Sequence, residues 1–208
     1  MQFSEDNFHK LCDEVCNKDK DLKNILNKHG YPPMWTRPST FQTLIHFILE
    51  QQVSLASAKA ALCRLQEKIG TITPENLLAL SDEEMKNCYF SRQKMIYARQ
   101  LAEAILSNKL SLKKLATLND EEVRKELTAI KGIGTWTADV YLLFALHRTD
   151  IFPTGDLAMM NAFKEIKKSD KNISKDETLQ VAEQWKPYRS IATMMLWHYY
   201  IRKRELKT

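Results

Sequence analysis

A glycine-punctuated turn is the first feature of this sequence that could do chemistry. It reads Lys131-Gly132-Ile133-Gly134 and lies between two stretches of helical periodicity, the second of which begins at about Thr135. Backbone N–H groups at a helix N-terminus lack intrahelical acceptors and, together with the helix dipole, favour an anion. Glycine also lets a phosphate approach with no Cβ in the way. Residues 131–135 are therefore a candidate phosphate site, although an isolated Gly-x-Gly is more often a tight connector.

The second feature is an acidic residue, Asp156, which follows Gly134 by 22 residues and stands behind Pro153 and Gly155. An Asp at the start of a predicted helix is, on local grounds, an N-cap whose carboxylate accepts a backbone N–H. Capping holds a carboxylate in place and keeps it ionised. A capping role and a catalytic role are therefore compatible at this position.

The rest of the chain predicts the helices that must position these residues. Apolar residues recur at helical spacing through most of the 208 residues, and only five Gly and six Pro interrupt them. We expect an all-α fold of about ten short helices with brief connectors, no convincing strand and no long linker. Helix starts are indicated by a capping box at Ser39-x-x-Gln42 and by Thr73-Pro74, Ser81, Ser91, Ser111, Asn119 and Ser174.

Composition argues against several classes of protein. The net charge of +5 is too small to require a polyanionic partner by itself. The four cysteines have no Cys-x-x-Cys spacing and no set of four metal ligands around them, which predicts reduced thiols and no metal site. The N-terminus lacks the apolar core of a signal peptide, and no apolar run is long enough to span a bilayer. We expect a soluble protein without a membrane partner, cytoplasmic or nucleoid-associated.

Several blocks of sequence resemble one superfamily of DNA-repair enzymes. We find a stretch similar to the helix-hairpin-helix DNA-binding motif in LTAIKGIGTWTA (127–138). The Gly/Pro-containing loop and Asp156 follow it as in the helix-hairpin-helix (HhH-GPD) DNA glycosylase superfamily. The first and last blocks of the 3-methyladenine DNA glycosylase II family are similar to FILEQQVSLASA (47–58) and WKPYRSIATMMLW (185–197). The chain departs from the family pattern at Lys131, where a Pro is usual.

The resemblance implies a fold and a partner. The fold is a two-lobed, all-α glycosylase domain over residues 1–208, with a substrate cleft between the lobes. A central lobe spans 36–148 and includes the hairpin, and a terminal lobe combines 1–35 with 149–208. Roughly 40 residues precede the first block, which suits a compact form of the family without an additional N-terminal β domain. The implied partner is double-stranded DNA, bound by a monomer through Lys131, Gly132, Ile133, Gly134 and Thr135.

The resemblance also implies a reaction, the hydrolysis of the N-glycosidic bond of alkylated bases such as 3-methyladenine in base excision repair. Asp156 would stabilise the positive charge that develops on the sugar and help to orient water. Trp136 and Trp197 would line the base pocket, where a cationic purine gains cation–π attraction. In the turn formed by residues 51–53, Gln52 occupies a wedge position that could fill the gap left by the flipped nucleotide. The alternative is that Gln51 and Gln52 simply cap the preceding helix.

Two features of the sequence argue against properties that some members of the superfamily have, namely strand cleavage and an iron–sulfur cluster. Superfamily members that nick the strand use a Lys nucleophile one residue into the helix after the hairpin. Trp136 occupies this position, which predicts a monofunctional enzyme. No Cys follows Cys88, so the iron–sulfur cluster of some relatives is not expected. No cofactor is expected, although a monovalent cation at the carbonyls of residues 131–134 stays open.

Two other functions remain open at the level of sequence. One is a glycosylase for deaminated or mismatched bases. The other is a non-catalytic DNA-binding protein that uses the hairpin only to hold the duplex. The second alternative requires neither Asp156 nor a pair of pocket aromatics, and the sequence contains both.

Overall fold

The computed structural model describes residues 1–168 and 173–205. In these residues the regular structure consists of thirteen α-helices and a 3-10 turn at Glu183–Trp185, and the only β pairing is an isolated bridge between Gln2 and Arg148. The all-α prediction is confirmed. The helices are α1 (Phe8–Lys18), α2 (Lys20–His29), α3 (Phe41–Glu50), α4 (Leu55–Ile69), α5 (Pro74–Leu78), α6 (Asp82–Asn87), α7 (Arg92–Leu106), α8 (Leu112–Leu115), α9 (Asp120–Thr128), α10 (Thr135–Phe144), α11 (Leu157–Lys167), α12 (Lys175–Ala182) and α13 (Arg189–Lys203).

Residues 169–172 and 206–208, which the sequence assigns to the terminal lobe, lie outside the described residues. Within the described ranges, no helix combines the length and the apolar character that a membrane crossing requires.

Side-chain caps begin most of these helices, as the sequence predicts. Six of the seven predicted starts are confirmed, and Ser81, Asn119 and Ser174 form complete capping boxes. The predicted box at Ser39-x-x-Gln42 is wrong. Thr40 is the N-cap of α3, because its hydroxyl accepts the backbone N–H of Thr43 at 3.3 Å. The hydroxyl of Ser39 lies instead 2.7 Å from the hydroxyl of Tyr141, a contact that no local pattern contains.

The chain divides into two compact units. The terminal unit consists of residues 1–36 and 142–208, and the central unit consists of residues 37–141. The division at residues 141 and 142 falls inside α10, so this helix contributes residues to both units. The terminal unit has α13 at its centre, packed against α1, α2 and α11. In the central unit, α3 and α5 pack against α7, and α4 packs against α3.

A buried polar cluster ties the first two helices of the terminal unit to the end of α11. Asp19 is 4% exposed and caps α2 through the backbone N–H of Asp21. Its second oxygen accepts from Trp185 Nε1 at 2.7 Å and from Lys167 Nζ at 2.5 Å. Burial opposes ionisation, but the hydrogen bonds from Lys167 and Trp185 outweigh it and hold the pKa of Asp19 below its ordinary value. The buried negative charge of Asp19 is therefore paired with the ammonium of Lys167 and hydrogen-bonded by Trp185.

We expect Asp19→Asn to lower the free energy of unfolding at pH 7 by about 3 kcal/mol, since it removes one partner of a buried ion pair. A carboxyl with a depressed pKa contributes stability above its unfolded pKa of about 3.9, and the contribution is lost as the pH falls through the folded value. Urea unfolding of both proteins should therefore show a difference that shrinks as the pH falls below about 4. A difference that is constant with pH would contradict the ionised assignment.

Candidate functional site

The glycine turn joins two helices that are clamped together. Arg124 on α9 donates from Nε to Asp139 Oδ1 on α10 at 2.7 Å, and Asp139 is only 6% exposed. Within the turn, the N–H of Ile133 donates to the carbonyl of Ile130 at 3.0 Å, and the Ile133 side chain is 3% exposed. Helix, turn and helix therefore form one rigid hairpin. Its tip presents Lys131, Gly134 and Thr135 to solvent.

The two glycines of the turn have different reasons to be glycine. Gly132 adopts φ +95°, and a Cβ there would lie 2.0 Å from Cγ of Tyr97 on α7. Gly134 lies outside the left-handed region, is exposed, and would place a Cβ with no atom within 4 Å. Packing within the protein thus requires Gly132 but not Gly134. The open space before Gly134, at the N-terminus of α10, suits an incoming anion.

Gly132→Ala should lower the free energy of unfolding by about 2 kcal/mol or more, because it combines a left-handed φ with overlap against Tyr97. Gly134→Ala should change it by less than about 1 kcal/mol, since the site is open and a less flexible unfolded chain favours the alanine. Urea unfolding of the two variants measures the contrast. Equal losses would contradict the close packing of Tyr97 on Gly132.

The turn after α3 touches the hairpin through Gln51. Gln51 Nε2 donates to the carbonyl oxygen of Gly132 at 2.9 Å and to Thr137 Oγ1 at 3.1 Å. Gln51 is the C-cap residue of α3, but its backbone N–H makes the capping bond, to the carbonyl of Ile48. Gln52, the candidate named from the sequence, is exposed and has φ +58°. The contact of Gln51 joins residues 81 apart, so no local pattern could reveal it.

Asp156 is the N-cap of α11, as its local sequence predicts. Its Oδ1 accepts the backbone N–H of Met159 at 2.8 Å and Nε1–H of Trp197 at 2.9 Å. Two donors from different helices, α11 and α13, therefore fix the orientation of this half-buried carboxylate.

Trp197 is enclosed by other aromatic rings. One face stacks on Phe144, with ring centroids 5.3 Å apart and planes at 8°, and Trp35 contacts it edge-on at 6.5 Å. Only 8% of Trp197 is exposed. Its Nε1–H donates to Asp156, a contact that sequence reasoning did not identify. Trp136, the second residue of α10, is half-buried.

The structure thus brings the candidates together in two groups. The hairpin residues 131–135 and the turn at Gln51 and Gln52 form one group in the central unit. Asp156 and Trp197 form the other, in the terminal unit. Among the described residues, no cluster of three or more His, Cys, Asp or Glu side chains is arranged to hold a metal ion.

Comparison with known proteins agrees with the sequence blocks. The chain is 32% identical over 186 residues to DNA-3-methyladenine glycosylase 1 of Schizosaccharomyces pombe, a match that covers 86% of this chain and 82% of that protein. It is 28% identical over 172 residues to DNA-3-methyladenine glycosylase of Bacillus subtilis, which covers 77% of this chain and 57% of the relative. This chain is 30% identical to a further Bacillus subtilis relative, and it covers 64% of the length of that protein.

A solved structure shares the fold over nearly the whole chain. The 3-methyladenine DNA glycosylase of Schizosaccharomyces pombe in complex with abasic DNA superposes with a TM-score of 0.85 at 26% identity, covering 96% of this chain and 100% of that one. Residues 45–187 match the family described as HhH-GPD superfamily base excision DNA repair protein. The predicted superfamily is confirmed, since this match covers well over half of the sequence. The chain belongs to the HhH-GPD superfamily of base excision DNA repair proteins.

Proposed function

We propose that this chain is a DNA glycosylase that hydrolyses the N-glycosidic bond of alkylated bases, 3-methyladenine first, in double-stranded DNA. The observation that carries the proposal is the carboxylate of Asp156, which two hydrogen-bond donors orient at the start of α11. The relatives named as 3-methyladenine glycosylases support the choice of substrate. The release of a damaged base by such an enzyme is a step of base excision repair.

The hairpin would hold the DNA backbone. The exposed turn from Lys131 to Thr135 offers N–H groups at the N-terminus of α10, and Gly134 leaves room for a phosphate oxygen. Lys131 adds a cation beside that phosphate. Because backbone N–H groups contact phosphate and not bases, this part of the binding is independent of sequence and of the lesion.

The reaction needs little beyond a fixed negative charge. As the bond between C1′ and the base nitrogen breaks, its electron pair leaves with the base, and positive charge develops on the sugar. Asp156 would stabilise that charge, and a water oxygen then bonds to C1′ while its proton passes to the carboxylate or to solvent. A base made cationic by alkylation leaves as a neutral molecule, so it needs no general acid. The donors Met159 N–H and Trp197 Nε1–H hold the Asp156 carboxylate in a fixed orientation for this role.

Base recognition would rest mainly on aromatic surface. A cationic purine on the face of Trp136 gains about 0.5–2 kcal/mol of cation–π attraction. Trp197 lines the pocket in this proposal, but it acts chiefly through Asp156, because Phe144 covers one of its faces. The turn of residues 51–53 would fill the gap left by the flipped nucleotide, with Gln52 its exposed tip.

We propose hydrolysis without strand cleavage, because Trp136 stands where a lyase of this superfamily carries its Lys nucleophile. Borohydride should therefore trap no covalent adduct between the protein and duplex DNA that contains an alkylated base or an abasic site. Denaturing electrophoresis after borohydride treatment is the measurement. A band of protein linked to DNA would overturn the monofunctional assignment while leaving base release itself intact.

Further properties of the enzyme are proposed on the same basis. A monovalent cation at the hairpin would bind backbone carbonyl oxygens of residues 131–134. A monomer acting on chromosomal DNA, cytoplasmic or nucleoid-associated, suits an enzyme that scans duplex DNA.

A panel of duplexes tests the substrate class. We expect free base from DNA that contains 3-methyladenine or 7-methylguanine, and little from matched duplexes that contain uracil, hypoxanthine or a mismatch. Release from the deaminated or mismatched duplexes alone would favour the alternative glycosylase. Tight binding to every duplex with no released base would favour a non-catalytic DNA-binding protein.

A further inference from the structure

We propose that Gln51 is a positioning residue that couples the exposed turn of residues 51–53 to the hairpin. Through it, binding of a phosphate at the hairpin would fix where the turn enters the base stack. The inference rests on the proposed function, since it assigns Gln51 a part in flipping the damaged nucleotide. It differs from that function because the effect comes from a half-buried contact within the protein and not from a group that touches DNA.

The amide of Gln51 matches its surroundings in a way that few side chains could. Nε2 carries two hydrogens, and it has two acceptors, the carbonyl of Gly132 at 2.9 Å and the hydroxyl of Thr137 at 3.1 Å. Gly132 lies in the hairpin turn, and Thr137, which is 1% exposed, lies in the first turn of α10. One side chain thus bridges the end of α3 to both parts of the hairpin tip.

Two contacts of α7 turn this bridge into a closed frame. Tyr97 packs against Gly132 so closely that a Cβ on the glycine would overlap its ring. One helical turn earlier, Lys94 Nζ donates to the carbonyl of Leu49 at the end of α3, at 2.6 Å. The end of α3 is therefore held to α7 by Lys94, α7 to the hairpin by Tyr97, and the hairpin to the end of α3 by Gln51. A three-sided frame of this kind resists relative movement of its corners.

The exposed residues next to these three contacts are those to which the proposed function assigns DNA binding: the turn of residues 51–53 and the tip of the hairpin. Gln52 projects from the turn next to Gln51, and Val53 is 46% exposed. At the hairpin corner, Gly134 opens to solvent. Gln51 thus sets the distance between the residues that enter the base stack and the residues that hold the phosphate.

Loss of the Gln51 contact should slow base release most when extruding the damaged nucleotide costs the most free energy. Extruding a nucleotide costs a few kcal/mol from a normal base pair and less from a weakened or missing one. Loss of Gln51 should therefore slow base release from a paired lesion and have little effect when the lesion has no partner base. General damage to the fold would slow both reactions alike, so the two substrates separate a positioning role from a structural one.

The test uses Gln51→Met, which keeps the length of the side chain but cannot donate. Single-turnover release of 7-methylguanine is measured from a duplex with cytosine opposite the lesion and from one with an abasic analogue opposite. We expect about a tenfold loss on the paired lesion, in line with the loss of two ordinary hydrogen bonds. On the unpaired lesion the loss should be less than about threefold. Gln66→Met, the same change at an exposed position of α4, is the matched control and should behave as wild type.

Equal losses on the two substrates, or no loss on either, would overturn the proposal. Should Gln51→Met not fold, Thr137→Val decides, because it removes one of the two acceptors and should show the same preference at smaller size. Failure of the proposed function has a different result: wild-type protein would release base from neither duplex, and the role of Gln51 would fall with it.

Discussion

Replacing Asp156 with Asn should lower the single-turnover rate of 3-methyladenine release from methylated duplex DNA by about 10²–10³-fold, the usual loss when one preorganised electrostatic group is removed. Asn is also a good N-cap, and its carbonyl oxygen can accept from Met159 and Trp197 as the carboxylate does. The substitution therefore removes the charge and leaves the local structure. Chromatography of the released base over time gives the rate.

Two measurements show whether this loss belongs to the chemical step. Affinity for lesion-containing duplex should change by less than about threefold in Asp156→Asn, since the carboxylate acts mainly in the transition state. Trp197→Phe keeps an aromatic ring but loses the donor to Asp156, and it should lower the rate by about tenfold, as expected for one hydrogen bond to a charged group. Release by Asp156→Asn at the wild-type rate would contradict the mechanism.

Gly134→Asp should weaken binding to any duplex by about 10²-fold at low salt, because it places a negative charge where the phosphate is proposed to lie. The free protein should accept the change, since the space before Gly134 is open. Fluorescence anisotropy with undamaged and methylated duplexes measures the affinity. The loss should be the same for both, because a phosphate contact carries no information on the base.

Gly134→Asn is the matched control for this prediction. It has nearly the shape of the Asp variant without the charge, so the difference between them isolates electrostatic repulsion. That difference should shrink as salt is raised, because salt screens exposed charges. Weakening that appears only with damaged DNA would count against a phosphate-binding role for the turn.

The features of this fold that can be predicted from the sequence are those that depend on residues close together in the chain, such as helix caps. Ser81, Asn119 and Ser174 cap their helices through residues three positions away, and all three predictions hold. The pattern at Ser39 is equally local, but its hydroxyl contacts Tyr141, which lies 102 residues further along the chain. Local rules fail where a distant side chain competes for the same group.

The candidate site likewise combines residues that the sequence identifies with contacts between distant residues that it does not. The glycine turn and Asp156 could be found from spacing and from resemblance to a family. The contacts that hold them could not, because Gln51 reaches Gly132 across 81 residues and Trp197 reaches Asp156 across 41. The resemblance to the family names Trp197 as a surface for the base, and the structure adds a stack of its ring on Phe144 and a hydrogen bond to Asp156. Which face of an aromatic ring is covered depends on tertiary packing.

Release of free 3-methyladenine from methylated duplex DNA by the wild-type chain tests the central proposal most directly. We predict that free base accumulates while the DNA strands stay intact, and that they break at the resulting abasic sites only after treatment with alkali. Binding of the same duplex with no free base, under conditions in which the protein is folded, would contradict it.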